Sequence, residues 1–195
     1  MVLLDYVKLL VDYSTEFITT GGLLYGFFIV FIECFIPMLP LGVFVALNVN
    51  AFGYIIGIIL SYMATSIGSI VVYLLFSLLE KKFISKHLNR KMVKRLMKGI
   101  NKFKKITFSE LVLLITLPFT PSCFINILGG LARVPKRKFM AAIFTGKIFT
   151  VIFWGYIGKS FIESIHDFKT LIIIFIALLI AYIISKIVSK KMKIE

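Results

Sequence analysis

Residues 81–105, KKFISKHLNRKMVKRLMKGINKFKK, form the stretch that decides the fold. It carries eleven of the twenty-three basic residues and no acid, and the sequence on both sides is overwhelmingly apolar. A basic block between apolar blocks is typical of a membrane protein with one large cytoplasmic loop, because lysine and arginine are enriched in such loops. We assign this loop to residues 81–108, and it orients the rest of the chain.

The loop also predicts a basic amphipathic helix. Lysines and arginines cover most of its surface. The apolar side chains share one helical face: Met92, Val93, Leu96, Met97, Ile100 and Phe103. Such a helix is suited to lie on an anionic lipid leaflet. We therefore expect the segment from Lys81 to Lys105 to bind an anionic leaflet. The alternative is a solvated linker whose charge only fixes the topology. Nucleic acid is not expected as a partner, although the net charge is +14, because the charge sits at the ends of apolar runs.

The composition excludes a small soluble domain. Hydrophobic residues make up 59% of the 195 residues and charged residues only 16%, and a soluble domain of this size could not bury so much apolar surface. The chain is therefore interpreted as a single membrane domain, 1–195. Cys34 and Cys123 both lie in apolar stretches, which predicts small buried side chains. No disulfide framework, zinc site or cofactor is predicted.

The first fifty residues divide into two segments. Residues 1–20 mix apolar and acidic positions and predict an interfacial helix; they lack the basic start of a cleaved signal peptide. Residues 22–50 are apolar but contain Pro37 and Pro40, and proline breaks a helix. The two arms are short for spans, which need about 20 residues, so this segment is interpreted as a re-entrant hairpin.

The second half repeats the pattern of the first. Residues 52–79 predict a transmembrane helix with small residues along one face, which favours close helix packing: Gly53, Gly57, Ser61 and Gly68. Residues 111–132 are broken by Pro118 and Pro121, at the same Pro-x-x-Pro spacing, and residues 139–161 and 170–188 predict further spans. If 111–132 were a full span, the basic residues 133–138 would lie outside, against the charge rule. A second re-entrant hairpin avoids this.

The predicted fold is an all-α integral membrane protein. It has two inverted repeats, each a re-entrant Pro-x-x-Pro hairpin followed by a transmembrane helix, with an N-terminal interfacial helix and a C-terminal transmembrane helix. The charges place the N-terminus outside and the C-terminus in the cytoplasm. Inverted repeats with broken helices are typical of transporters, whose binding site lies where the broken helices meet.

Several motifs resemble those of the DedA family, also called the VTT-domain or SNARE-associated family. Residues 33–40, ECFIPMLP, are similar to its Glu-x-x-x-Pro-x-x-Pro motif. Residues 68–73, GSIVVY, resemble its Gly-rich span, and residues 118–135, PFTPSCFINILGGLARVP, resemble its second hairpin. Gly146, Lys147 and Trp154 follow as in many members. The resemblance covers residues 23–161 approximately.

The resemblance implies a multi-pass protein of the bacterial cell membrane that moves lipids between leaflets and is not an enzyme. Bacterial members are linked to undecaprenyl phosphate and phospholipid carriers, often with dependence on the proton-motive force. The chain departs from the pattern at Leu41 and Gly42, where a second acid is expected, and at Pro118 and Phe124, where arginines are expected. Neither the family's proton coupling, which the second acid would support, nor phosphate binding through those arginines is therefore carried over to this chain from the resemblance.

The candidate substrate and proton path consists of six polar residues: Glu33, Lys147, Asn126, Thr120, Ser122 and Arg133. Glu33 could carry protons or contact a headgroup, or it could cap backbone donors near the first break. Lys147 could bind a lipid phosphate or pair with Glu33, or its stem could reach the cytoplasmic interface. Asn126, Thr120 and Ser122 could contact a headgroup or only satisfy loose backbone.

The function predicted from these features is translocation of undecaprenyl phosphate or an anionic phospholipid. The alternative is a proton- or ion-coupled transporter of a small solute, which would use the same broken-helix design. His87 and His166 lie in segments predicted on opposite sides of the membrane, so the sequence predicts no histidine-based catalysis. The sequence does not set the oligomeric state.

Overall fold

The structure, a computed structural model, describes residues 2–36, 39–79, 90–163 and 168–191. Within these ranges the chain is helical and forms no strand, which confirms the predicted all-α class. The helices are α1 (Val2–Glu33), α2 (Leu41–Phe52), α3 (Tyr54–Leu78), α4 (Arg90–Phe103), α5 (Phe108–Thr116), α6 (Ser122–Leu131), α7 (Lys136–Glu163) and α8 (Phe168–Lys191).

Three helices in the described ranges are long and apolar enough to cross a membrane: the part Lys8–Glu33 of α1, α3, and the part Lys136–Phe161 of α7. Many large apolar side chains on these helices are exposed, as expected for surfaces that face lipid. The apolar parts of α2, α6 and α8 are shorter. Re-entry of residues 22–50 and 111–132 into the membrane stays a prediction, as do the positions of the termini.

The N-terminal segment breaks where the sequence predicted a boundary. Residues 1–20 were expected to form a helix separate from 22–50, and two helical stretches meet at Gly22, whose non-helical backbone with a φ of 67° is accessible to glycine. The interfacial position of the first stretch stays a prediction. Hydroxyl groups upstream donate to carbonyls one turn back, such as Thr15 to Val11 at 2.7 Å, so these polar side chains are tolerated within the helix. The first arm is therefore set off from the preceding residues by the kink at Gly22, although Lys8–Glu33 taken together has the length and composition of a span.

Each half of the chain packs its short second helix against a long helix of the other half. The second arm of the first half, α2, packs against α7, and the second arm of the second half, α6, packs against α3, while α3 and α7 also contact each other. Glycines permit the close approaches: a Cβ at Gly158 on α7 would lie 2.3 Å from the Ala46 Cβ on α2, and one at Gly130 on α6 would lie 2.5 Å from the Tyr73 carbonyl oxygen on α3. This reciprocal packing brings the breaks of both halves together.

The predicted stripe of small residues on α3 is mostly an internal face. Gly57, Ser61 and Gly68 are buried. Gly53 is exposed and lies in the turn between α2 and α3 with a φ of 79°. Its role is to permit that turn, because a φ in this range favours glycine.

The basic amphipathic helix predicted within the loop is α4, but its apolar face is partly covered by protein. Ile100 and Phe103 are 1% and 2% exposed and belong to a core cluster with Tyr73 and Phe139, whose rings stack at 4.2 Å. That face therefore packs on the second half of the chain, chiefly on α6, whereas Lys94 and Lys98 are exposed. Residues 81–89 of the loop lie outside the described residues.

The start of α5 is fixed by a reciprocal cap. The Glu110 backbone N–H donates to Thr107 Oγ1, and the Thr107 backbone N–H donates to Glu110 Oε2 at 2.7 Å. Hydrogen bonds from the Thr107 backbone and hydroxyl hold the pKa of Glu110 below its ordinary value. The cap sets where the first arm of the second half begins, and the arm ends nine residues later at the second proline break.

Candidate functional site

Each half of the chain contains a proline break followed by a helix without a side-chain cap. In the first, α1 ends at Glu33 and α2 begins after Pro40; Pro37 lies outside the described residues. In the second, α5 ends before Pro118 and α6 begins after Pro121. No side chain caps α2 or α6. The N–H groups of Val43 and Phe124 donate to the carbonyl oxygens of Pro40 and Pro121, so the donors that have no helical acceptor are those of the first two residues of each helix.

The two breaks are in contact and enclose one cavity. Cys123 Sγ lies 3.7 Å from the Phe35 carbonyl oxygen. The adjoining cavity has a volume of about 690 Å³ and lies among both breaks, α7 and α8. Its walls are mainly apolar, and the side chains with polar groups among the described lining residues are Glu33, Thr120, Ser122, Cys123, Thr150 and Trp154. Its volume is in the range of small-molecule sites.

The starts of both uncapped helices line this cavity. Leu41 and Gly42 belong to the first turn of α2, and Ser122 and Cys123 belong to the first turn of α6. A helix N-terminus carries a partial positive charge and free N–H donors, and it favours anions. Two such ends at one cavity favour a negatively charged or acceptor-rich group there.

Lys147 is buried beside the cavity and held by hydroxyl groups. Its side chain is 1% exposed, and Nζ donates to Thr65 Oγ1 at 2.8 Å and to Ser122 Oγ at 2.9 Å. Lys147 is not among the residues that line the cavity, but Ser122 is. The ammonium group is therefore separated from the cavity by one hydroxyl group, and the whole Lys147 side chain is buried in the protein.

Glu33 is linked to Lys147 through two intervening side chains. Its carboxylate is on the cavity wall and is 6% exposed. Cys34 Sγ lies 3.7 Å from Glu33 Oε2 and 3.6 Å from Thr65 Oγ1, the hydroxyl that binds Lys147. The electrostatic attraction of Lys147 also reaches the Glu33 carboxylate. The buried acid of one half and the buried base of the other thus belong to one polar cluster, Glu33–Cys34–Thr65–Lys147–Ser122.

Two further residues on α7 shape the cavity. Thr150 Oγ1 donates to the Ile115 carbonyl oxygen at 2.7 Å, which satisfies the end of α5 before the proline break. The Trp154 ring packs on Gly42, where an added Cβ would lie 2.3 Å from the ring. The Trp154 indole N–H is buried and has no hydrogen-bond partner among the described residues. It leaves a donor available at the cavity wall.

The remaining predicted residues are divided between the cavity and its surroundings. Pro40, Pro118, Thr120 and Pro121 line it. Asn126 is 1% exposed and does not line it, and neither of its amide atoms has a partner within the described ranges. Arg133 is exposed at the end of α6 with a φ of 52°, away from the lining residues.

Sequence reasoning missed the side chains that join the acid to the base. Thr65 and Ser69 are fully buried, and Ser69 Oγ lies 3.8 Å from Cys34 Sγ. The available signal was the spacing of Ser61, Thr65 and Ser69, which places three hydroxyl groups on one face of α3. Among the described residues, no group of three His, Cys, Asp or Glu side chains is placed to hold a metal ion.

Comparisons with known proteins agree with this architecture. The sequence pattern of the VTT domain matches residues 36–160. The "Uncharacterized membrane protein YhjE" of Bacillus subtilis is 32% identical over 158 residues, which cover 80% of this chain and 75% of that protein. The "Uncharacterized protein YqeD" of the same organism is 25% identical over 153 residues, which cover 75% of this chain and 71% of the relative. No solved structure matches the chain.

Proposed function

Since this chain belongs to the VTT-domain family of membrane proteins, also called the DedA family, we propose that it is a lipid translocase. Its proposed cargo is a lipid with a phosphate headgroup, either undecaprenyl phosphate or an anionic phospholipid. The observation that carries the proposal is the cavity of about 690 Å³ between the two proline breaks. Its apolar walls suit a hydrocarbon chain, and its polar end suits an anion.

The polar end supports a phosphate for three reasons. The first two residues of α2 and of α6 supply backbone donors that no side-chain cap occupies, and the two helix starts supply two partial positive charges. Lys147 lies one hydroxyl away, bound to Ser122. Trp154 contributes an indole N–H that has no partner in the described part of the chain. A phosphate could accept hydrogen bonds from these donors while the lipid tails stay in the apolar part of the cavity.

Glu33 is an acid, whereas the other groups at the polar end of the cavity are hydrogen-bond donors or carry positive charge. We propose that it gates the path: a negative carboxylate repels a phosphate, and a protonated carboxyl donates a hydrogen bond to it. This would couple headgroup entry to protonation. Lys147 would hold the headgroup electrostatically through Ser122 and keep the cluster neutral when the cavity is empty.

The proposed orientation has the N-terminus outside the cell and the C-terminus in the cytoplasm. It rests on the basic segment 81–105 and the acidic N-terminus. In a background without Cys34 and Cys123, a single cysteine at Ser14 should react with a membrane-impermeant thiol reagent in intact cells, and one at Ser189 should react only after the cells are opened. Labelling of position 189 in intact cells would show that the proposed orientation of the C-terminus is wrong.

Reconstitution into liposomes tests the activity. The protein should speed the movement of a fluorescent anionic phospholipid, or of labelled undecaprenyl phosphate, between leaflets, measured by leaflet-specific quenching. An entrapped small dye should stay inside the same vesicles. If correctly folded protein leaves both lipid rates at those of protein-free vesicles, the translocase proposal fails. If it moves a soluble substrate and leaves the lipids in place, the small-solute alternative is correct.

A further inference from the structure

A second cavity lies next to the first, on the far side of the second proline break. Its volume is about 350 Å³, and it is bounded by α4, α5, α6 and α8 together with that break. The two cavities share three lining residues, Phe119, Thr120 and Pro121. The second break is therefore a common wall between them.

The C-terminal helix α8 runs past both cavities with one face. Ile174 and Leu178 line the first, and Tyr182, Ser185 and Lys186 line the second. The successive spacings of four, four and three or four residues place all of these side chains on the same side of a helix. A ligand could thus remain against α8 while it passes from one cavity to the other.

Aromatic rings separate the two cavities. The Phe119 ring makes edge contacts with Trp154, at 5.6 Å between centroids, and with Tyr182, at 5.8 Å. Trp154 lines the first cavity and Tyr182 lines the second. Phe119 is 37% exposed, so its ring lies at the edge of the core and not inside it.

The second cavity is lined by a basic residue, whereas the first cavity is lined by an acidic one. Lys186 is the one charged residue among its described lining residues, whereas the first cavity is lined by the acid Glu33. Lys186 Nζ lies 6.0 Å from the centroid of the Tyr182 ring, which holds the ammonium group by a cation–π contact. Ser185 is 4% exposed and adds a hydroxyl group.

Thr120 supplies an independent sign of a missing ligand. Its Oγ1 is buried at the junction of the two cavities and has no hydrogen-bond partner among the described residues. Buried hydroxyl groups are normally hydrogen-bonded. A headgroup oxygen at the junction would satisfy it.

We propose that the second cavity is a binding site for the phosphate headgroup of an anionic amphiphile, held by Lys186 and by the hydroxyl groups of Ser185 and Thr120. This inference rests on the proposed function and extends it: the two cavities are successive positions of one headgroup, and Phe119 is the partition between them. The walls around the cation are apolar, so the ligand is an amphiphile and not a free anion.

Amine labelling of the full-length protein tests this site without any transport measurement. The protein in non-ionic detergent is treated with an amine-acetylating reagent, and the labelling of each lysine is read by peptide mass spectrometry. Dioctanoyl phosphatidic acid, at about ten times its Kd, should slow the labelling of Lys186 about tenfold, because only the unoccupied fraction of the site reacts. Labelling of Lys136, an exposed lysine at the start of α7 outside both cavities and outside the basic segment 81–105, is the internal control and should not change.

Two further probes separate the sources of an anion. Dioctanoylglycerol has the same chains without the phosphate, and inorganic phosphate has the anion without the chains; neither should protect Lys186. Equal protection of Lys186 and Lys136, protection by either of these probes, or no protection by phosphatidic acid overturns the inference. Protection of Lys186 in a protein that moves no lipid would leave the site standing and overturn the proposed function.

Discussion

Replacing Lys147 with methionine should lower the free energy of unfolding by about 3 kcal/mol, because removing one member of a buried charge cluster leaves its partners uncompensated. Lys147 is 1% exposed, and the change removes the donor that binds Thr65 and Ser122. It also removes the positive charge whose attraction reaches the buried carboxylate of Glu33. Methionine fills similar space, so the loss is one of charge and hydrogen bonding.

Adding Glu33→Gln to Lys147→Met should recover part of this loss. The double variant no longer buries an uncompensated carboxylate, and residues within one polar cluster couple by about 0.5–3 kcal/mol. Unfolding of the parent, both single variants and the double variant in non-ionic detergent measures the coupling. Lys98→Met removes an exposed lysine and serves as the control, with an expected change within about 0.5 kcal/mol.

Two outcomes would contradict the polar cluster. Strictly additive single effects would show that Glu33 and Lys147 do not sense each other through Thr65 and Cys34. A Lys147→Met variant as stable as Lys98→Met would show that the buried ammonium group contributes nothing to the fold. The same four proteins can be compared in the liposome assay, where each single variant should transport more slowly than the parent.

The sequence predicted the order of the helices well because its signals are strong and local. The spans near 52–79 and 139–161 correspond to α3 and to most of α7, since long apolar runs have few alternatives to a helix of that length. Both proline breaks also match helix ends, since proline removes a backbone donor. The boundary predicted between residues 1–20 and 22–50 matches the kink at Gly22, because glycine leaves helical geometry at little cost.

The burial of the α4 face and the contacts among the polar side chains depend on tertiary packing, which local sequence patterns do not reveal. The apolar face of α4 looked suited to a lipid leaflet, yet Ile100 and Phe103 are buried, because that face meets α6 from a distant part of the chain. Glu33 and Lys147 were singled out as buried ionisable groups, but their connection depends on Cys34 and Thr65, which no local pattern joins. Arg133 was selected by motif alone, and it lies away from the cavity.

Lipid is proposed to move through the cavity between the two proline breaks. A bulky side chain that fills this cavity should therefore block the movement. Val43 lines the cavity and is 51% exposed, so tryptophan can replace it without overpacking a closed core. Ile55 is 73% exposed on α3 and does not line the cavity, so Ile55→Trp is the matched control for an added indole on an apolar surface. Both variants should fold with stability close to that of the parent.

The decisive measurement is the initial rate of transbilayer movement of an anionic phospholipid in liposomes that contain equal amounts of the parent, Val43→Trp or Ile55→Trp protein. Val43→Trp should be slower by about tenfold or more, since a barrier raised by about 1.4 kcal/mol gives that factor, and Ile55→Trp should match the parent. Equal rates for a folded Val43→Trp protein and the parent would contradict the account, because the lipid would then be crossing by a route other than this cavity.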